Sequence, residues 1–175
     1  MSFTEEDTAR LRVFVDANVL IRGITYPRFP YEILRHIARG DIKLVLSPTV
    51  LEEVRECLTQ KFPQHLGDFE AFLSMIDYEL VSDPTPEEEE ANIDLVRDPK
   101  GVYIILAAVK AKVDHLVSAD ADLTDVDETT EKLRRLIKPL KIGSFLSEVM
   151  GWSSEELERI SKRRWVELKR PFWAK

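Results

Sequence analysis

Residues Val13-Phe14-Val15 run straight into Asp16, and apolar residues resume at Val19 and Leu20. A short, unbroken run of β-favouring apolar residues is the pattern of a strand buried on both faces, as in a parallel sheet covered by helices. This pattern asks for helical layers on both sides of the sheet, and it places an aspartate at the carboxyl end of a strand. Ligands of open α/β sheets bind at that end, where the loops leaving the strand tips frame a crevice. A carboxylate there is costly to keep ionised unless a cation or hydrogen-bond donors meet it.

The rest of the chain supplies the layers that such a strand needs. Leu44-Val45-Leu46, His115-Leu116-Val117-Ser118-Ala119 and Leu140-Lys141-Ile142 read as further strands, with Tyr78 to Ser82 as a strand or extended connection. Ala17 to Gly23 reads as a helical turn, followed by a loop over Thr25 to Pro30 that two prolines break. A short amphipathic helix over Tyr31 to Arg39 ends at Gly40. Ser47-Pro48 opens a helix to Lys61, with serine as N-cap and proline in the first turn. Its buried stripe is Val50, Leu51, Val54, Cys57 and Leu58, with Glu53 at the stripe's edge and Glu52 almost opposite. A helix is expected over Leu66 to Ile76. Glu87 to Glu90, after Pro84 and Pro86, read as the first turns of a helix whose dipole they complement. Asp98-Pro99 starts a helix whose residues Val102 to Val109 are all apolar, so it should lie against the sheet. Thr130 to Ile137 reads as a helix, and Phe145, Leu146, Val149 and Met150 form a small packing helix. The expected fold is α/β: three α/β/α layers with a mainly parallel central sheet, plus a C-terminal helix.

With 175 residues and 44% hydrophobic content, the chain can bury the core of one domain and an appendage. The boundary is expected at 151/152. Residues 152–175 hold seven Lys or Arg against four Asp or Glu, a net +3, which leaves −10 of the total −7 on residues 1–151. That balance excludes a protein that coats nucleic acid through global charge, though a local basic groove is compatible with it. Ser153 and Glu156 make a capping box for a tail helix. The tail's Arg159, Lys162, Arg163, Arg164, Trp165, Lys169, Arg170 and Trp173 fit a single-strand-binding surface, a helix docked on its own domain, or a dimer contact. One cysteine, Cys57, excludes an intramolecular disulfide and a cysteine-based zinc cluster; it reads as a small core residue. His36, His65 and His115 have no metal-ligand spacing. The polar start of the chain and its short apolar segments lead us to expect a cytoplasmic protein with no membrane partner.

Four acids fall at comparable places: Asp16 after the first strand, Glu53 one turn into the helix after the second, Asp98 at a helix start, and Asp120 after a later strand. Strand ends of a parallel sheet lie side by side and helices begin on the same rim, so all four can face one small volume. Left alone, the cluster would repel itself. A hard, oxygen-preferring cation removes that problem, and Mg²⁺ or Mn²⁺ is its natural occupant.

Val-Phe-Val-Asp16-Ala-Asn18-Val-Leu, Leu-Val-Leu-Ser47-Pro-Thr-Val-Leu-Glu-Glu53-Val, Arg97-Asp98-Pro99 and Leu-Val-Ser118-Ala-Asp120-Ala-Asp122-Leu resemble the successive motifs of PIN-domain ribonucleases, VapC-like toxins among them. Leu140-Lys-Ile-Gly-Ser-Phe145-Leu resembles their last strand and the helix after it. The resemblance covers about residues 12 to 150. It implies Mg²⁺- or Mn²⁺-dependent cleavage of RNA, with products bearing 5′-phosphate and 3′-hydroxyl ends. Asp16, Glu53, Asp98 and Asp120 would be the catalytic, metal-holding set, with Asp122 as an accessory metal ligand and Asn18 orienting water or a carboxylate. Many members are toxins held by an antitoxin, and many are homodimers. Relatives with the Arg-Asp-Pro pattern usually carry another acid three or four positions on, where this chain has Gly101 and Val102. Two other readings follow: a catalytically degenerate PIN-like module that binds RNA or a protein partner, and a phosphatase with Asp16 as covalent nucleophile. The second lacks the usual partner aspartate, because Asn18 stands in its place.

Overall fold

In the computed structural model, residues 10–95, 101–125 and 131–174 are described. The helix start at Asp98-Pro99 lies outside them.

The first strand, β1 (Leu11–Val15), carries Val13, Phe14 and Val15 with no exposed surface, as the unbroken apolar run requires. Asp16 accepts a hydrogen bond from the Ala17 amide and so caps α1 (Ala17–Thr25). This helix is longer than the sequence suggested, because Pro30 sits in the first turn of α2 (Phe29–Arg39), where its missing N–H costs nothing. Only residues 26–28 therefore link the two helices. Gly40, with φ of +83°, closes α2 in the left-handed conformation that glycine adopts without strain. Gly23 lies inside α1 because Leu34 of α2 packs against it: a Cβ there would come within 2.7 Å of Leu34 Cδ1.

β2 (Ile42–Leu46) leads through the Ser47 N-cap into α3 (Pro48–Lys61), with the bounds read from the sequence. A 3-10 turn at Pro63–His65 joins α3 to α4 (Leu66–Ser74), and β3 (Glu79–Leu80) is a two-residue edge strand. Thr85 and Glu88 form a capping box on α5 (Pro86–Ala91), so the acidic run is a helix start. The apolar segment forms α6 (Val102–Lys110). β4 (His115–Val117) is followed by a short α7 (Ala121–Thr124) capped by Asp120. After α8 (Glu131–Leu136), the last strand β5 is Pro139–Leu140, not Leu140 to Ile142. β4 ends at Val117, so Leu140 is the last residue with a partner, and Ile142 starts α9 (Ile142–Ser144) and a π-helical turn over Phe145–Val149.

All strand pairs are parallel, in the order β3-β2-β1-β4-β5. Helices cover the sheet in a three-layer α/β/α arrangement. From β1 the chain moves outward to β2 and β3 on one side, then crosses to β4 and β5 on the other. The sheet's switch point thus falls between β1 and β4, and a crevice opens at their carboxyl ends.

The basic tail folds back on the domain. It contains α10 (Ser154–Ile160), with the expected Ser153/Glu156 capping box, and α11 (Trp165–Leu168). Trp165, Phe172 and Trp173 surround the Tyr31 ring at centroid distances of 5.4, 5.3 and 5.6 Å. Trp165 Nε1 donates to Thr25 O, Trp173 Nε1 to Asp68 Oδ1, and the Phe172 amide to the Tyr31 hydroxyl. Trp165 and Trp173, the tail's candidate stacking residues, are therefore engaged in the tail's own docking. Trp152 Nε1 donates to His36 Nε2, which leaves the His36 Nδ1 proton for Asp41, so His36 is a packing residue.

Arg163 fastens this strap electrostatically. Its Nη2 lies 2.7 Å from Glu32 Oε2 and its Nε donates to Pro27 O. Glu32 is only 2% exposed, and its other ion pair, to Arg35 Nη1, is longer at 3.4 Å. Arg163→Ala should therefore cost on the order of 3 kcal/mol in urea denaturation, because it strands a buried carboxylate. Adding Glu32→Gln should recover much of the loss. A single variant as stable as the wild type would mean that the strap contributes no net stability.

Candidate active site at the sheet's switch point

A cleft of about 380 Å³ opens between the carboxyl ends of β1 and β4. Asp16, Ala17, Asn18 and Ile21 line it from α1 and its cap, Glu53 and Cys57 from α3, Gly101, Tyr103 and Ile104 from α6 and its cap, and Asp120 from the turn after β4. Three of the five acids singled out in the sequence thus share one cleft. Asp122 is absent from the described lining; its backbone N–H donates to Asp120 Oδ1. Asp98 lies outside the described residues.

Asp16 is 4% exposed and held from two sides. Its Oδ1 accepts from the Ala17 amide at 2.7 Å and its Oδ2 from the Ser118 hydroxyl at 2.7 Å. Ser118, fully buried, also accepts from the Asp120 amide at 3.0 Å. One hydroxyl therefore fixes Asp16 and the turn that carries Asp120. Asn18 ties the same two strand exits together: its amide oxygen accepts from the Ala119 N–H at 3.1 Å. Since that partner is a backbone donor, the oxygen is the bonded atom. The Asn18 oxygen thus holds backbone, while the residue lines the cleft beside Asp16.

Burial pushes the Asp16 carboxyl up from 3.8 to about 6, against the two hydrogen bonds that favour its ionised form. The negative charges of Glu53 and Asp120 raise it further. On the opposite wall the Tyr103 hydroxyl donates to Glu53 Oε1 at 2.6 Å. Burial and that bond push the phenol's pKa up, so Tyr103 stays a proton donor. Tyr103 was missed in the sequence, although it brings the one hydroxyl into an otherwise aliphatic eight-residue run. Cys57 is half-buried at the cleft wall, not in the core: its place on α3 is one turn beyond Glu53, on the border of the buried stripe.

The donor chemistry suits a hard divalent cation. The three acids offer only oxygen, and their mutual repulsion at Asp16 is what a cation would offset. Among the described residues, no three carboxylate, imidazole or thiol groups are gathered closely enough to enclose an ion. Gly101 and Val102, both buried at the start of α6, bring no acid to the site.

A family profile described as the PIN domain matches residues 12–122, which spans all five acids singled out for the site. The chain belongs to the PIN-domain family. Its kinship is with proteins of nuclease type. Two solved structures share the fold. VapBC2 from Rickettsia felis, bound to a DNA fragment from their promoter, is 16% identical with a TM-score of 0.52, over 75% of this chain and 98% of that one. PAE2754 from Pyrobaculum aerophilum is 13% identical with a TM-score of 0.54, over 81% and 91%. No curated protein sequence matches the chain. Among the described residues no helix is long and apolar enough to cross a membrane.

The raised carboxyl of Asp16 makes stability depend on pH. The folded protein keeps the Asp16 proton to about pH 6, whereas the unfolded chain loses it near 3.8. The resulting stabilisation is complete below 3.8 and is lost as pH rises through about 6, a change of roughly 3 kcal/mol. Asp16→Asn removes the titrating group. In urea denaturation without divalent cation, the free-energy difference between variant and wild type should shift in the variant's favour by about that much across this window. A pH-independent difference would mean that the fold carries ionised Asp16 at no cost.

Proposed function

We propose that this PIN domain is a Mg²⁺- or Mn²⁺-dependent endoribonuclease that hydrolyses RNA phosphodiester bonds in the cleft between β1 and β4. The observation that carries the reading is the buried, pre-oriented Asp16 with Glu53 and Asp120 on the walls of the same cleft. Asp16, Glu53, Asp98 and Asp120 would hold the ion, with Asp122 as an accessory ligand. When bound, the cation supplies acidification of water to a nucleophile at neutral pH and neutralisation of charge growing on the phosphate oxygens. The chain's own contribution is orientation. Ser118 and the Ala17 amide each occupy one lone pair on an Asp16 oxygen and leave another on each. Tyr103 holds Glu53 on the cleft wall. Ile21 and Ile104 supply apolar surface beside the acids.

Residues 1–151 would form the catalytic domain and 152–175 its basic C-terminal appendage. The family reading further proposes an antitoxin-type protein inhibitor, a homodimer and a cytoplasmic location. The likeness to VapBC2 supports the first of these.

A second reading has specific support. The start of α6 brings no acid, and the described carboxylates are not gathered around one point. Both observations favour a degenerate PIN module that binds RNA or a partner without cutting.

Cleavage of mixed-sequence single-stranded RNA separates the two. The wild type should cut with Mn²⁺ or Mg²⁺, stop with EDTA and leave 5′-phosphate ends. Asp16→Asn and Asp98→Asn should each slow cleavage by at least about 100-fold, since even residues behind a metal ligand are worth 10- to 100-fold. A wild type that is inert and shows no Mn²⁺ binding by calorimetry would establish the degenerate module.

A further inference from the structure

A second cleft, of about 390 Å³, lies on the next face of α1. Among the described residues Arg22, Tyr26, Arg28, Phe29, Pro30, Ile142 and Ser161 line it, none of them a carboxylate. In a chain of net charge −7, whose neighbouring cleft carries three acids, a wall whose described residues include two arginines and no acid stands apart. The two clefts adjoin: Ile21 lines the acidic one, and Arg22, the next residue, lines this one. Along the α1 axis Arg22 stands about 9 Å from Asp16, at 1.5 Å per residue.

The side chains are arranged for a ligand that is both flat and anionic. Tyr26 is 48% exposed, a large aromatic surface left in water. The Arg28 guanidinium lies 5.4 Å from its ring centroid, and Arg28 Nε donates to Arg163 O, which holds that cation in place. The Arg22 guanidinium is exposed and has no hydrogen-bond or ion-pair partner among the described residues. A free cation beside an open aromatic face is the combination used for single-stranded nucleic acid, in which phosphates meet arginine and bases stack on rings. The volume exceeds the needs of a lone phosphate and falls in the range of small-ligand sites.

We infer that this cleft is a subsite for single-stranded RNA, in which one base stacks on Tyr26 and its phosphate is bound by Arg22. The identification of the strand as RNA rests on the nuclease reading above; the stacking and phosphate contacts do not. Without a cation the acidic cleft repels phosphate, so metal-free affinity for the strand resides here. Arg28, committed to Tyr26 and the tail, orients the ring and adds to the local positive field.

The test is fluorescence anisotropy with a short labelled single strand of RNA in EDTA, which prevents cleavage by withholding the divalent cation. Arg22 and Tyr26 are both exposed, so their variants should fold; thermal unfolding checks this. Arg22→Ala should weaken binding about 10-fold and lower the slope of log K against log salt by about 0.7, the value for one phosphate contact on a single strand. Tyr26→Ala should also weaken binding about 10-fold, within the range for one lost stack, and leave the slope unchanged. Tyr26→Phe should bind as the wild type does, and an abasic strand should not distinguish Tyr26→Ala from wild type. The inference is overturned if the wild type fails to bind, if both alanine variants bind normally, or if Tyr26→Phe loses as much as Tyr26→Ala. Because no metal is present, a protein that never cuts RNA yet shows this pattern keeps the subsite and loses the nuclease reading. One that cuts RNA but binds independently of Arg22 and Tyr26 does the reverse.

Discussion

One buried hydroxyl ties the site together. Ser118 donates to Asp16 and accepts from the Asp120 amide, so two strands that are neighbours in the sheet and about a hundred residues apart in the chain share one hydrogen-bonded centre at their carboxyl ends. The Asn18 oxygen on the Ala119 amide is a second tie across the same gap, and the Asp16 amide on the Val117 carbonyl is a third. A carboxylate buried to this degree normally has to be neutralised or heavily bonded. Here the bonds are present, yet burial still outweighs them and its pKa stays raised. The fold therefore stores an unfavourable charge at its switch point, which a neutral isostere would relieve. That cost is what makes Asp16 a candidate functional group and not a stabilising one.

The surrounding elements act on that centre through their caps. Asp16 is both the cleft's central acid and the N-cap of α1; Asp120 is both a wall of the cleft and the N-cap of α7. For these two residues the structural and functional readings coincide, because a cap residue at a strand-to-helix turn is where a parallel sheet presents side chains to its crevice. Glu53 differs. It sits in the second turn of α3, has no capping duty, and is exposed but for its contact with Tyr103. A phenol that donates to a carboxylate fixes its rotamer without adding charge. That is how α6 supports the acidic wall although its first residues, Gly101 and Val102, carry no acid.

What was legible in the sequence was whatever depends on neighbours in the chain. The run into Asp16 specified a two-sided strand, Ser47-Pro48 specified the start of α3, and 100° per residue put Glu53 at the border of the apolar stripe. The acidic run at Glu87 to Glu90 declared itself a helix start through Thr85 and Pro86. What was not legible depends on distant partners. Ser118 reads as an ordinary residue after a strand until Asp16 is placed beside it. Tyr103 counted as one apolar residue among eight until α6 met α3. Cys57 lay on the predicted stripe, but one helical turn beyond Glu53 it falls on the cleft wall and not in the core. The tail is the clearest case: its cations and tryptophans were compatible with three roles, and only the cage around Tyr31 decides in favour of docking.

Docking of the tail also shapes the surface beside the acids. Arg163 reaches Pro27 and Glu32, Arg28 donates back to the Arg163 carbonyl, and Trp165 donates to the Thr25 carbonyl, so the strap grips the link between α1 and α2 from both ends. Ser161 of the strap and Ile142 of α9 then complete the walls around Arg22 and Tyr26. A chain with a surplus of acid meets a polyanion poorly through its overall field, which favours separating the tasks in space. Helix α1 links the two clefts: Asp16 at its capped end faces the acidic cleft with Glu53 and Asp120, and toward its far end Arg22, unpaired among the described residues, stands with Tyr26 on the second cleft. The short helix between two clefts of opposite character sets both the distance and the direction in which a strand would leave the acids, and the strap holds the second cleft in shape.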